Sequence, residues 1–166
     1  MADFTQEELY KLADDLNRVD PMKPKGTKLH SALVRLVCAV AVEVVALRRD
    51  TTTGGIMVLL RQRGLNEAAY QGMWHCPGSF VRPGESIDDV FNRLMASESL
   101  GSIRSQRHLD NCFWPEERGT ICSDIRLVDA DPAVGHWFPV NNLPQAMVEQ
   151  HRDVFIPMAL KAFLAG

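Results

Sequence analysis

The sequence lacks the features of nucleic-acid-binding, membrane-spanning and secreted proteins. Its formal net charge is −3, whereas a general nucleic-acid binder needs a surplus of Lys and Arg. The most apolar stretch, 33–47, is interrupted by Arg35 and Glu43 and is too short to span a bilayer. Residues 2–20 are acidic and do not resemble a signal peptide. We therefore expect a cytoplasmic protein with no nucleic-acid or membrane partner.

Cysteine is scarce, and its spacing excludes two common roles. The four cysteines, Cys38, Cys76, Cys112 and Cys122, include no CxxC pair and no zinc-ligand spacing. A chain of 166 residues buries a core large enough to fold without disulfide or metal. Its length fits one ordinary domain.

The first thirty residues predict a helix and a linker. Apolar residues recur near helical spacing at Phe4, Leu9, Leu12, Leu16 and Val19. Two prolines, at positions 21 and 24, end this pattern. We interpret 1–30 as an N-terminal helix with its linker, and 31–166 as the folded domain.

The remaining pattern predicts a layered α+β fold. Apolar runs at 33–47 and 56–60 flank a Gly-Gly turn, which favours a β-hairpin. Further strands are predicted at about 77–81, 104–114, 120–128 and 135–140, with a final helix at about 151–164. This order indicates an α/β/α sandwich with a mixed sheet between helices.

A second helix is predicted over 86–98. Its apolar positions form one stripe at helical spacing, namely Ile87, Val90, Phe91, Leu94 and Met95. Ser86 and Asp89 resemble a capping box at its start. On the helical wheel Leu94 lies in the middle of the stripe, so we expect it to be buried.

The segment before this helix resembles the Nudix box, whose pattern is G-x5-E-x7-R-E-U-x-E-E-x-G-U with U a bulky apolar residue. The resemblance rests on Pro77-Gly78-Ser79-Phe80-Val81-Arg82-Pro83-Gly84-Glu85, followed by Arg93 and Glu98. Two other segments resemble the family, Trp74-His75-Cys76-Pro77-Gly78 and Trp137 to Pro144, so the similarity spans about 33–164. It implies the Nudix fold, with structural box positions at Gly78, Ser79, Gly84 and Arg93.

In that family the box glutamates hold Mg²⁺ or Mn²⁺ for pyrophosphate hydrolysis. This chain has Leu94 and Ser97 at two glutamate positions and retains Glu98. The resemblance implies Glu98 as the catalytic carboxylate, and Glu85, Glu98 and Glu117 as metal ligands. For Glu85 the alternative is an ion pair with Arg82 or Arg93.

Three arginines are candidate phosphate ligands. Arg61 and Arg63 end the second strand of the hairpin, and Arg118 lies in the turn 115–119. A guanidinium binds phosphate oxygens through two parallel hydrogen bonds. The alternatives are an ordinary polar strand exit and a charged hairpin tip.

Three functions remain open. The first is a metal-dependent hydrolase of a nucleoside diphosphate linked to another moiety, attenuated by the lost glutamates. The second is a nucleotide-binding or regulatory protein without catalysis, although no basic helix-turn-helix segment follows residue 164. The third is an assembly module whose N-terminal helix forms a homodimer. In the first two, the partner is a small-molecule nucleotide.

Overall fold

The computed structural model of the chain describes residues 4–20, 23, 26–67, 69–97, 102–116, 119–131 and 136–166. Its α-helices are α1 (Gln6–Asn17), α2 (Thr27–Leu36), α3 (Ile87–Ser97) and α4 (Ile156–Leu164). Its strands are β1 (Ala39–Arg49), β2 (Ile56–Gln62), β3 (Trp74–His75), β4 (Gly78–Phe80), β5 (Ser102–Glu116), β6 (Gly119–Asp131) and β7 (His136–Pro139). A π-helical turn, His151–Phe155, leads directly into α4.

The strands form one mixed sheet, as the sequence predicts, and their order in it is β3-β2-β1-β6-β5. β1 runs parallel to β6 and antiparallel to β2 and β4. The predicted hairpin is confirmed, with Leu47 opposite Val58. Its turn is closed by the Asp50 N–H, which donates to the Gly55 carbonyl at 2.8 Å. β7 pairs with the other edge of β2.

The two faces of the sheet carry separate apolar clusters. Because side chains alternate along a strand, Val42 and Val44 of β1 pack with α3, whereas Val45 and Leu47 pack beneath α4. The α3 cluster includes Val42, Val44, Ala46, Leu59, Val90, Phe91, Leu94 and Val128. The α4 cluster includes Val45, Leu47, Val58, Leu60, Ile125, Met147, Phe155, Ile156 and Ala159. The predicted α/β/α sandwich is therefore confirmed.

The prediction of strand structure from residue 33 onward is wrong for its first residues. Helix α2 begins inside the predicted linker and continues to Leu36, and the strand starts at Ala39. Val34 is buried against Ala41 and Ile121, so the helix covers one end of the sheet. Apolar residues such as leucine suit either conformation, and tertiary packing selects the helix here.

Helix α1 is confirmed, and it has no buried residue. Thr5 and Glu8 form a capping box at its start. Leu9 and Leu12 each remain 43% exposed. Among the described residues, no helix has the length and apolar character needed to cross a membrane.

Candidate functional site

Arg93 joins helix α3 to the loop that precedes it. Its Nε and Nη2 donate to the two carboxylate oxygens of Glu85 at 2.9 and 2.7 Å. Nη2 also donates to the Phe80 carbonyl at 2.7 Å, and Nη1 donates to Ser79 Oγ. The Glu85–Arg93 pair is largely shielded, with side chains 10% and 19% exposed. This network holds the loop in a fixed position against the helix.

The Glu85 carboxylate is held in its ionised form by these contacts. Arg93 lowers the pKa of Glu85 through its hydrogen bonds, and the Arg82 N–H adds to the effect, donating at 2.8 Å. Gly84 precedes Glu85 at φ +81°, in the left-handed region that glycine adopts without steric cost. The turn therefore presents Glu85 to Arg93.

Leu94 lies in the core. It is 0% exposed and belongs to the α3 cluster, as its place on the helical wheel predicts. Ser97, at the end of α3, donates its hydroxyl to the Arg93 carbonyl at 2.9 Å. Two positions at which the family pattern has glutamates thus contribute to packing and to the helix itself.

The described residues of the box do not fit a Mg²⁺ site. Magnesium needs several oxygen ligands in near-octahedral geometry, and both oxygens of Glu85 accept hydrogen bonds from Arg93. Within the described ranges, no group of three or more His, Cys, Asp or Glu side chains is placed to hold a metal ion. Three predicted residues, Glu98, Glu117 and Arg118, lie outside the described residues.

A cavity of about 180 Å³ opens on the α4 face of the sheet, and we call it the Glu43 cavity. Strands β1, β4, β5 and β6 contribute to its walls, together with the π-helical turn. Its polar and aromatic lining includes Glu43, Arg63, Tyr70, His75, Trp114 and His151. The cavity therefore combines flat rings with groups that form hydrogen bonds.

The absence of a side chain at Gly78 makes room for the Glu43 carboxylate. These residues are opposite each other in the antiparallel pairing of β1 with β4. A Cβ at position 78 would lie 2.7 Å from the Glu43 carboxyl carbon, closer than van der Waals contact permits. The predicted structural role of Gly78 thus has a physical basis in this side chain.

His151 and His75 are uncharged in this cavity. Burial, together with the charges of His75 and Arg63, lowers the pKa of His151 to about 3. Burial, then Arg63, lowers the pKa of His75 to about 4. The Cys76 backbone N–H donates to Nδ1 of His151 at 3.1 Å. A neutral imidazole that accepts at Nδ1 carries its proton on Nε2.

The two arginines predicted at the end of the hairpin have different positions. Arg63 lines the Glu43 cavity. Its Nε donates to the Ala69 carbonyl at 2.9 Å, and Nη2 pairs with Glu67 at 3.1 Å. Arg61 lies in β2 opposite His75 and contributes to the positive field there.

Sequence reasoning overlooked Glu43, His75 and His151. One signal was present for Glu43, since it is the one charged residue between Leu36 and Leu47. Charged residues are rarely buried in a strand without a partner, so a carboxylate there deserved a functional hypothesis. The histidines lie far apart in sequence, and only the folded chain shows that they line one cavity.

Comparison with known proteins identifies the fold. No protein-family model and no curated protein matches the sequence. The Nudix domain of Shewanella oneidensis NrtR complexed with ADP ribose is 18% identical over 91% of this chain and 97% of that chain, with a TM-score of 0.62. A mutT/nudix family protein from Listeria innocua is 22% identical over 76% of this chain and 94% of that chain, with a TM-score of 0.58. The chain therefore has the Nudix fold, which the resemblance of its box implied.

A further similar structure bears on the expected partners. S. oneidensis NrtR complexed with a 27mer DNA is 18% identical over 76% of this chain and 62% of that chain, with a TM-score of 0.58. That relative in fold binds DNA. Our expectation that this chain has no nucleic-acid partner therefore stays a prediction.

Proposed function

We propose that this protein binds a nucleoside diphosphate, or a larger nucleotide that contains one, in the Glu43 cavity without cleaving it. The observation that carries the proposal is the position of Leu94. Where the family pattern has a glutamate, this residue is fully buried between α3 and the sheet. A substitution to glutamate alone would place a charge in that apolar cluster, which is costly.

The cavity has the properties of a nucleoside pocket. An apolar cavity of about 150 Å³ is large enough to hold a benzene ring, and the Glu43 cavity measures about 180 Å³. Trp114 and Tyr70 offer flat faces against which a base packs. Glu43, Ser123 and Gln150 add hydrogen-bonding groups, which orient a ligand.

Arg63 is the candidate ligand for the diphosphate. A guanidinium has five N–H donors, and the two described contacts, with Ala69 and Glu67, use two of them. Arg63 also lies in the cavity lining, where the base and the phosphates of one ligand would meet. The binding of ADP ribose by the NrtR Nudix domain supports a ligand of this class.

Metal-dependent hydrolysis of the same ligand is the second candidate. It is favoured by Glu98, which keeps one of the family's metal-binding positions in the sequence. It would also need Glu117 or another carboxylate, because Glu85 is engaged by Arg93.

One experiment separates the two candidates. The protein is incubated with ADP-ribose, NADH, dinucleoside polyphosphates or nucleoside triphosphates, with Mg²⁺ or Mn²⁺, while turnover and binding are measured. We expect saturable binding that weakens at least about tenfold in Arg63→Ala, with no turnover. Metal-dependent turnover that is abolished by Glu98→Gln would establish the hydrolase instead. If no nucleotide binds, both candidates fail.

A further inference from the structure

Two side chains that line the Glu43 cavity, Glu43 and His151, carry hydrogen-bonding groups of opposite type. Glu43 contributes a carboxylate, which accepts hydrogen bonds when ionised. It is half-buried in the middle of β1, and the space above Gly78 accommodates it. A ligand group that contacts this carboxylate needs an N–H or O–H donor, and an anionic group would be repelled.

His151 contributes a hydrogen-bond donor to the cavity lining. Its Nδ1 is engaged by the Cys76 backbone N–H, so its Nε2–H is the group that remains for a ligand. The π-helical turn holds this ring against Phe155, with ring centroids 4.7 Å apart. Because the ring is 9% exposed and fixed on both sides, it acts as a donor with one orientation.

We propose that the Glu43 cavity selects an uncharged nitrogen heterocycle whose edge carries an N–H donor beside an acceptor. The donor contacts Glu43, and the acceptor contacts His151. An aminopurine or aminopyrimidine base has this edge, with an exocyclic amino group next to a ring nitrogen. This inference rests on the proposed function and specifies which end of the nucleotide enters the cavity.

The test uses two ligands that differ in one group. ADP has an exocyclic amino group, and purine riboside 5′-diphosphate has a hydrogen atom in its place. We expect wild-type protein to bind ADP about tenfold more tightly, because the hydrogen bond to a carboxylate is lost with the analogue. In Glu43→Ala this preference should fall below about twofold. Both affinities are measured by calorimetry.

His151 is tested separately by His151→Asn. Asparagine keeps an acceptor near the position of Nδ1 for the Cys76 N–H but has no donor at the position of Nε2. We expect both ligands to lose affinity by a similar factor of about tenfold, since each retains a ring nitrogen. Glu149→Ala is the matched control for Glu43→Ala, since it also removes a carboxylate, but an exposed one outside the cavity lining.

The outcomes distinguish the two levels of the proposal. If both ligands bind wild-type protein equally, or if the preference survives in Glu43→Ala, the assignment of the base edge is wrong while nucleotide binding stands. If neither ligand binds, this inference fails, and the proposed function fails with it if none of the nucleotides in the first experiment binds either. A circular-dichroism melt of each variant shows that it is folded.

Discussion

The two faces of strand β1 differ, although they are built from alternating residues of one segment. Each face carries an apolar cluster, and the α4 face also borders a polar cavity. On the α3 face, Val42 and Val44 are fully buried in an apolar cluster that includes Leu94. On the α4 face, Glu43 lies beside a cavity that contains two neutral histidines. Leu94 of the box therefore packs on the α3 face, and the polar cavity lies on the α4 face.

This difference indicates how residues of the box can support a cavity on the opposite face of the sheet. The Glu85–Arg93 network fixes the loop between β4 and α3. The same loop follows Gly78, which makes room for Glu43. Glu85, Arg93 and Gly78 thus support the cavity, whereas Leu94 packs in the core on the other face of the sheet.

Substitution of Leu94 tests the packed face and should have the largest effect. We expect Leu94→Ala to lower the free energy of unfolding by roughly 2–5 kcal/mol, through lost burial and the resulting cavity. Leu94→Glu should abolish cooperative unfolding, because an unpaired charge would be buried. Urea denaturation measures both. A folded Leu94→Glu variant with Mg²⁺-dependent turnover would contradict the packed position of this residue.

Loss of the Glu85–Arg93 pair should have the next largest effect. We expect Arg93→Ala to cost roughly 1.5–3 kcal/mol of unfolding free energy, because a shielded carboxylate loses its charged donor. The effect depends on pH. The native pKa of Glu85 is below its ordinary value, so its stabilising contribution is complete above the unfolded pKa of about 4.3 and is lost as pH falls through the native pKa.

Glu85→Gln tests that pH dependence. The difference in unfolding free energy between wild type and Glu85→Gln should be largest near pH 7 and should shrink as pH falls below about 4. Urea denaturation at pH 7, 4 and 3 measures it. A difference that stays constant over this range would show that ionisation of Glu85 does not stabilise the fold.

Gly78→Ala tests the difference between the two faces of β1, because it should disturb only the α4 face, where the cavity lies. The added Cβ would displace the Glu43 carboxylate, and we expect a cost of roughly 1–3 kcal/mol in unfolding free energy. Nucleotide affinity should fall at least about tenfold. Denaturation and calorimetry give the two quantities. Unchanged affinity would place the carboxylate outside the binding site.

The smallest expected effects come from two helix caps. Ser86 and Asp89 cap α3, in which Val90, Phe91 and Leu94 are buried, and Thr5 and Glu8 cap α1, which has no buried residue. Ser86→Ala should lower the melting temperature by roughly 2–4 °C, whereas Thr5→Ala should leave it unchanged. An equal decrease in both variants would show that α1 packs against the domain.

The periodic parts of the fold were predictable from sequence. The stripe of α3 follows from a spacing of 3.6 residues. The hairpin follows from two apolar runs that flank a Gly-Gly turn, and the mixed sheet follows from the order of the predicted elements. The boundary between α2 and β1 was not predictable, because Leu33 to Leu36 suit either conformation and packing on Ile121 decides.

The candidate site was predictable only in part. The box suggested two alternatives for Glu85, a metal ligand or an ion pair, and the structure places it against Arg93. The cavity depends on contacts between segments that are remote in sequence. The tautomer of His151 depends on the Cys76 backbone N–H, which no local pattern contains.

Because Gly78 lies close to Glu43, the size of the side chain that one of these positions tolerates depends on the side chain at the other. A larger residue at position 78 is compatible with the fold when position 43 becomes small, and each single change is unfavourable while its partner keeps its present size. In a library randomised at both positions, surviving clones should show inversely correlated side-chain volumes. Among natural relatives, a glycine at position 78 should accompany a long side chain at position 43.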